Sequence, residues 1–250
     1  MVKPMITAIV IMTLAIPASA GNTDSWLISL NPISDSRDAG KKLMNLTYGL
    51  NLLETKNENE HILLVGVHGG NSQGYEWVYP LKTMDTENIL SYFFRWDDSK
   101  CAEPSAIILA KELQELVTEN PSIKKIIIIG HSYGGLLVSW FTENWSSSLP
   151  MDIHAIASPL AGIKIINDMC QYESPKLIKK NISFFQWRTQ KKLDGAFKNL
   201  EFNPQLINLK GSQVYVLPDL YKGNRLGHNW SISFVADQLK NKSNKLQINN

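Results

Sequence analysis

The chain has little of what marks a metal-binding, nucleic-acid-binding or membrane-spanning protein. Two cysteines occur among 250 residues, with no C-x-x-C pair and no H-E-x-x-H pattern, so a zinc site has no support in the sequence. The 25 Lys+Arg residues are nearly balanced by 23 Asp+Glu residues, and no basic run occurs, which argues against a nucleic-acid partner. No apolar run reaches the roughly 20 residues that a membrane helix needs. The composition is otherwise that of an ordinary globular protein, with 44% hydrophobic residues.

The first 20 residues differ from the rest and predict a secretory signal peptide. Lys3 supplies a positive start, residues 5–16 are almost wholly apolar, and the small residues Ala18 and Ala20 are typical of a cleavage site. We therefore expect residues 21–250 to form a single domain, secreted or periplasmic, with no stable membrane anchor. A retained anchor is the weaker alternative.

The sequence contains one possible pair of cysteines. Cys101 and Cys170 are an even number of cysteines in a chain that we expect to reach an oxidising compartment. A disulfide between them is therefore expected, and two separate buried thiols are the alternative.

Short apolar runs alternate with helical patterns along most of the chain. Runs rich in branched and aromatic residues, typical of buried strands, lie at 62–67, 89–94, 126–129, 153–157, 182–187 and 213–217, with one early strand at 26–30. Helical spacing of apolar residues predicts helices at 39–54, 105–119, 135–144 and 230–239. This alternation predicts an α/β fold with a mostly parallel central sheet flanked by helices on both faces. Ligands of such sheets bind beyond the carboxyl ends of the strands.

The strongest motif is Gly130-His131-Ser132-Tyr133-Gly134, which follows a predicted strand and precedes a predicted helix. G-x-S-x-G in this setting is typical of a nucleophile elbow, a tight turn that exposes the serine hydroxyl above the sheet. The residues two before and two after the serine must be small in such a turn, and both are glycine. Ser132 is therefore the predicted nucleophile. A glycine-rich turn that happens to contain serine is the alternative.

A second motif, His68-Gly69-Gly70, ends the strand at 62–67. Together with the elbow it resembles the α/β-hydrolase superfamily, specifically the serine lipase and esterase branch, from residue 62 to the C-terminus. The resemblance implies that the backbone N–H groups of Gly70 and Tyr133 form an oxyanion hole, with His68 bracing the loop. A phosphate-binding loop is a weak alternative because no Gly-Lys-Ser/Thr follows.

A serine hydroxyl needs a base within hydrogen-bond reach, and histidine titrates closest to neutrality. Among the five histidines, His61 precedes the first clear strand and His68 belongs to the glycine loop. We expect His131 to face away from the serine, and His154 lies within a predicted strand. His228 remains, between the last predicted strand and the last helix, where the family places its histidine. A merely solvated loop histidine is the alternative.

The third residue of the triad must be a carboxylate that orients the imidazole, and the family order of serine, acid and histidine restricts it to residues 132–228. Asp194 follows the strand at 182–187 in a turn-like Asp-Gly and is the first choice, although Asp before Gly is also a common turn former. Asp168 is the main rival, after an earlier strand. Asp219 is a distant third, and Asp152 begins a strand at the opposite edge.

The resemblance implies a secreted serine hydrolase that cleaves small-molecule or lipid esters through an acyl-enzyme on Ser132, without metal or organic cofactor. A thioesterase or amidase with the same triad, and a non-catalytic binding module, remain alternatives. The oligomeric state is not indicated.

The family's cap segment, here residues 158–180, is short and predicts a small cap over a fairly open site. This segment contains five large apolar residues, Leu160, Ile163, Ile165, Ile166 and Met169. They either line an acyl pocket or form the buried face of a short helix, and the sequence favours neither alternative. Trp77, after the glycine loop, is predicted at the rim of the pocket.

Overall fold

The computed structural model describes residues 26–27 and 36–248, with side chains to residue 241. The predicted signal peptide and most of the early strand at 26–30 lie outside the described residues. No helix in the described part of the chain combines the length and the apolar character needed to cross a membrane.

The strands and helices follow the predicted alternation. The main strands are β1 (Gly49–Leu52), β2 (Ile62–Val67), β3 (Ile89–Arg95), β4 (Lys125–His131), β5 (Met151–Ile156), β6 (Ile182–Arg188) and β7 (Gln213–Val216), followed by a short hairpin of β8 (Leu220–Tyr221) and β9 (Asn224–Arg225). The helices are α1 (Ser36–Met44), α2 (Tyr75–Met84), α3 (Ala102–Glu119), α4 (Tyr133–Ser139), α5 (Phe141–Asn144), α6 (Lys164–Cys170) and α7 (Trp230–Ile248), with a 3-10 turn at Lys191–Leu193.

The seven main strands form one sheet in the order β1-β3-β2-β4-β5-β6-β7. All neighbouring strands are parallel except β1, which pairs antiparallel with β3. The predicted mostly parallel sheet is therefore confirmed. Because parallel strands end at one edge, the segments that follow β2, β4 and β6 meet there.

Alternate residues of each central strand pack into separate hydrophobic layers. Leu63 and Val65 of β2 belong to the layer covered by α3 and α4, whereas Leu64 between them belongs to the layer covered by α1, α2 and α7. All three side chains are at most 1% exposed. Burial on both faces explains why these strands are continuous apolar runs rather than alternating ones.

The predicted helix at 39–54 is wrong in its second half. The helix ends at Met44, and residues 49–52 form the edge strand β1 instead. Gly49 has φ +110°, which interrupts a helix, and the Leu50 N–H donates to Glu112 Oε2 of α3 at 2.8 Å. The helical spacing of the leucines was therefore overridden by pairing with β3.

The predicted disulfide between Cys101 and Cys170 is present and joins the start of α3 to the end of α6. Residues 158–180 contain one short helix, α6, in agreement with a small cap. The apolar residues of this segment divide between two environments. Leu160 and Ile166 are buried, whereas Ile165 and Met169 are 69% and 57% exposed.

A pair of carboxylates lies at the end of the sheet opposite the carboxyl edge. Glu54 Oε1 accepts a hydrogen bond from the Ser91 N–H at 2.5 Å, and Ser91 Oγ donates to Asp85 Oδ1 at 3.4 Å. Burial, together with the nearby charge of Asp85, raises the pKa of Glu54 to about 7. Glu54 therefore takes up a proton near neutral pH in the folded chain.

We predict that replacing Glu54 with Gln flattens the pH dependence of stability. The folded pKa of Glu54 exceeds its unfolded value, so the wild type loses stability as pH rises from about 4.5 to about 7. The amide oxygen of the introduced glutamine can still accept from the Ser91 N–H. Urea unfolding from pH 5 to 8 should show E54Q gaining stability over the wild type with rising pH. The exposed control Glu58→Gln should track the wild type, and parallel curves for E54Q and the wild type would contradict the assignment.

Candidate active site

The tight turn between β4 and α4 holds Ser132 in a conformation that few non-glycine residues adopt. Its backbone has φ 53° and ψ −120°. The turn is fixed by hydrogen bonds from Ser132 N–H to the Ile156 carbonyl (2.9 Å) and from Ser158 Oγ to the Ser132 carbonyl (2.6 Å). Ser132 is thus placed at the carboxyl edge of the sheet, where the sequence predicted a nucleophile elbow.

Glycines around Ser132 let three backbone segments approach one another. A Cβ on Gly130 would collide with the Gly134 carbonyl oxygen, and one on Gly134 would collide with the carbonyls of Val67 and His68. A Cβ on Gly69 would lie 2.9 Å from the Ser132 Cβ. The glycine loop after β2 therefore packs directly on the elbow, and larger residues would separate the two.

His68 holds the glycine loop in place through hydrogen bonds. Its Nδ1–H donates to the Gly69 carbonyl at 2.8 Å, and its Nε2 accepts from Arg95 Nη1 (2.7 Å) and the Trp96 N–H (3.3 Å). The ring is fully buried, and burial lowers the pKa of His68 to about 4. A neutral imidazole with its proton on Nδ1 satisfies all three partners, which matches the bracing role predicted for His68.

The proposed oxyanion donors lie on the two segments that the glycines bring together. Tyr133 is the first residue of α4, so its N–H has no partner within the helix. Gly70 faces Tyr133 across the loop, with 3.9 Å between the position of a Gly70 Cβ and the Tyr133 Cβ. The Tyr133 hydroxyl is anchored by donating to the Lys100 carbonyl at 2.8 Å. That the N–H groups of Gly70 and Tyr133 form an oxyanion hole remains a prediction.

Asp194 and His228 are joined at the same edge. His228 Nδ1 lies 2.9 Å from Asp194 Oδ1 and 3.0 Å from Oδ2. The carboxylate is fully buried and also accepts from Thr189 Oγ1 (2.5 Å) and the Ala196 N–H (2.8 Å). Because an ionised carboxylate only accepts, Nδ1 carries the proton and Nε2 of His228 is left as an acceptor.

The other three aspartates that the sequence offered lie elsewhere. Asp168 is on the exposed surface of α6, paired with Lys164 at 2.6 Å. Asp219 is paired with Lys192 at 3.4 Å and is also exposed, and Asp152 at the start of β5 is paired with Lys125 at 2.7 Å. Of these carboxylates only Asp194 contacts His228.

Ser132, His228 and Gly70 line one small cavity of about 70 Å³. Asn229 on one side of it donates to the Tyr75 hydroxyl on the other at 3.0 Å. Among the hydrogen bonds of the described residues, the Ser132 hydroxyl has no partner. Its bond to His228 is therefore a prediction for the substrate-bound state, in which such bonds often tighten.

Two expectations about the surroundings are wrong. His131 does not face away from the site: its ring lies 4.7 Å from the His228 ring, and its Nε2–H donates to the His228 carbonyl at 3.2 Å. Burial, followed by the proximity of His228, holds the pKa of His131 well below its usual range. Trp77 is not at the rim. It is fully buried in α2 against Phe93, whereas the two residues before it, Tyr75 and Glu76, line the cavity.

Sequence signals for the supporting residues were weak. Serine and threonine are common residues, so nothing in the sequence singled out Thr189 and Ser158. Only the fold brings Thr189 to Asp194 and Ser158 to the Ser132 carbonyl. The sequence therefore pointed to the residues with rare chemistry and missed those that orient them.

No family model and no curated protein sequence matches the chain. Solved structures do match it. Est1E from Butyrivibrio proteoclasticus has a TM-score of 0.52 at 12% identity, covering 80% of this chain and 93% of its own. A structure from Xanthomonas campestris, described as an α/β serine hydrolase without a lid, has a TM-score of 0.51 at 12% identity, covering 79% and 87%. The chain has the α/β-hydrolase fold.

A third match extends over more of the chain. It is a thioesterase candidate from Silicibacter sp., with a TM-score of 0.51 at 17% identity, covering 88% of this chain and 91% of its own. At identities this low the likeness establishes the α/β-hydrolase fold alone.

We predict that His68 stays neutral throughout the range in which an ordinary histidine titrates. With a pKa of about 4, caused mainly by burial, its ring should hold one proton on Nδ1 from pH 8 down to pH 5. Nitrogen-detected NMR of the imidazole rings measures this directly, with His68→Gln identifying the resonance. A titration midpoint near pH 6.5 would show that the loop is not braced in this way.

Proposed function

We propose that the chain is a secreted serine hydrolase that cleaves carboxylic esters through an acyl-enzyme on Ser132. The observation that carries the proposal is the buried carboxylate of Asp194 in contact with His228, at the cavity that Ser132 lines. An imidazole held in this tautomer can take a proton from a serine hydroxyl, which is a weak nucleophile without such a base.

In the first half of the reaction, Ser132 Oγ attacks the ester carbonyl carbon while its proton passes to His228 Nε2. Asp194 stabilises the imidazolium that results. The carbonyl oxygen, on which negative charge develops, accepts hydrogen bonds from the N–H groups of Gly70 and Tyr133. Donors of this kind contribute about 3–4 kcal/mol each to the transition state. Collapse of the tetrahedral intermediate breaks the bond to the alcohol, which leaves with the proton from His228.

In the second half, a water molecule attacks the acyl-enzyme. His228 removes a proton from the water, the same two N–H groups bind the oxyanion, and Ser132 recovers its proton as the acid departs. Apart from the substrate and this water molecule, each step uses side chains and backbone groups of this chain.

A thioester is the second candidate substrate, because one structural neighbour is a thioesterase candidate. The same nucleophile, base and oxyanion donors serve thioesters, amides and oxygen esters. The groups named above thus support acyl transfer to water, and the acyl group and leaving group are left to experiment.

Export is supported by the amino-terminal signal in the sequence and by the disulfide Cys101–Cys170. Disulfides persist in oxidising compartments and are rare in the cytosol. We therefore place the reaction outside the cytoplasm.

Replacing Ser132 with Ala should abolish ester hydrolysis, because no other group supplies the nucleophile. We expect kcat to fall by about four orders of magnitude or more. The measurement is turnover of p-nitrophenyl esters from acetate to palmitate, together with covalent labelling by a fluorophosphonate.

The exposed control Ser146→Ala should label and turn over like the wild type. Labelling without turnover of any oxygen ester would move the proposal to thioesters or amides. A wild-type chain that takes up no label would indicate a binding module.

The identity of the acid is tested by a matched pair. Asp194→Asn should lower kcat by roughly 10³–10⁴-fold, because an amide at this position favours the wrong histidine tautomer. Asp168→Asn, in an exposed ion pair, should leave kcat unchanged. The reverse ranking would assign the acid to the cap segment.

A further inference from the structure

A second concave site lies at the carboxyl ends of β6 and β7, on the outer side of the loop that carries Asp194. It is a cavity of about 430 Å³ with four cationic lining residues, Arg188, Lys191, Lys192 and Lys198, and we refer to it as the basic cavity. It is two to three strands from β4, or about 10–14 Å from the nucleophile turn at the usual strand spacing. None of its lining residues lines the cavity of Ser132.

The charges of the basic cavity are largely uncompensated. No acidic residue is among the described residues that line it. Lys192 pairs with Asp219 at 3.4 Å, but both side chains are more than half exposed, so this pair screens weakly. Lys191 Nζ donates only to the backbone carbonyl of Lys198 at 3.5 Å, and Lys198 has no carboxylate partner in the described part of the chain. Several cations facing one concavity raise the local concentration of anions.

Arg188 contributes a fixed positive charge to the wall of the basic cavity. One of its terminal nitrogens, Nη2, donates to Gln186 Oε1 and to the Ile207 carbonyl, both at 2.7 Å, which fixes the guanidinium at the cavity wall. Neither of these partners is a carboxylate, so the charge of Arg188 adds to that of the lysines around the cavity.

The rest of the wall limits the class of ligand. Leu206 and Val216 line the same cavity and are 54% and 66% exposed, so apolar surface lies beside the cations. A phosphate group fits the cationic part, because guanidinium and ammonium groups bind its oxygens by charge-assisted hydrogen bonds. The apolar rim offers contact to a group attached to that phosphate.

We propose that the basic cavity is a binding site for a phosphate group, either free or in the headgroup of an anionic phospholipid. It is separate from the ester-cleaving cavity and does not depend on the function proposed above. Arg188 is the fixed cation, and Lys191 and Lys198 are the mobile donors. The phosphate is bound without any covalent step.

The test is calorimetric titration of the folded wild-type chain with inorganic phosphate at low ionic strength. It is accompanied by sedimentation with vesicles of phosphatidylcholine, alone or mixed with phosphatidic acid. The key variant is Lys191→Gln with Lys198→Gln, which removes two mobile donors and leaves Arg188 in place. We expect it to weaken binding by about tenfold or more. The control Lys111→Gln removes one exposed lysine on the surface of α3, away from the basic cavity, and should bind like the wild type.

Saturable binding of inorganic phosphate that the double variant loses supports the site with free phosphate as a ligand. Binding only to vesicles that contain phosphatidic acid, lost in the double variant, supports the site with a lipid headgroup as the ligand. Absence of both, or equal weakening in Lys111→Gln, overturns the proposal. Labelling of Ser132 by a fluorophosphonate should be the same in the double variant, which separates this outcome from any failure of the ester-hydrolase proposal.

Discussion

The close approach of the backbone around Ser132 is the constraint on which the site depends. The serine can hold φ 53° only because Gly130 and Gly134 leave room for the turn, and because Gly134 lies against the carbonyls of Val67 and His68. This contact joins the end of β2 to the end of β4, which are adjacent parallel strands. The strain is held in place by the buried sheet beneath it, where the strands are fixed on both faces. A single Cβ at either glycine would therefore displace both the nucleophile and the loop that carries Gly70.

Burial distinguishes two histidines of the site from the third. His68 and His131 are enclosed, and removal from water keeps both neutral, so each can act as a fixed donor and acceptor in the frame of the site. His228 is 16% exposed at its side chain and opens to the cavity of Ser132. The histidine proposed as the base is thus the one with an open side, and the two buried rings hydrogen-bond to the surrounding backbone.

The features that could be predicted from the sequence are those with a rare local pattern. The features that were missed are contacts between residues that are distant in sequence and meet only in the folded chain. The buried strands β2 to β6 and the tight turn at Ser132 were predicted correctly because continuous apolar runs and G-x-S-x-G have few other uses. The pairing of Asp194 with His228 followed from chain order and from the position of each residue after a strand. The helix at 39–54 was wrong because leucine spacing cannot register a competing strand partner or the Glu112 carboxylate that accepts from Leu50. Trp77 was misplaced for a similar reason, since which side of α2 faces the sheet is a tertiary property.

The loop after β6 carries both the buried carboxylate of Asp194 and the lysines of the basic cavity. It buries one negative charge, Asp194, which is stabilised by donors from Thr189, Ala196 and His228. The lysines on either side of that carboxylate are directed into a different cavity, so they do not compete with His228 for it. The carboxylate and the lysines are connected through the backbone of the loop. Asp194 N–H donates to the Gln190 carbonyl, and Lys198 N–H donates to the Asp194 carbonyl. A ligand bound at the lysines would therefore lie on the same loop as the carboxylate, yet it would leave the hydrogen bonds of the carboxylate to Thr189, Ala196 and His228 in place.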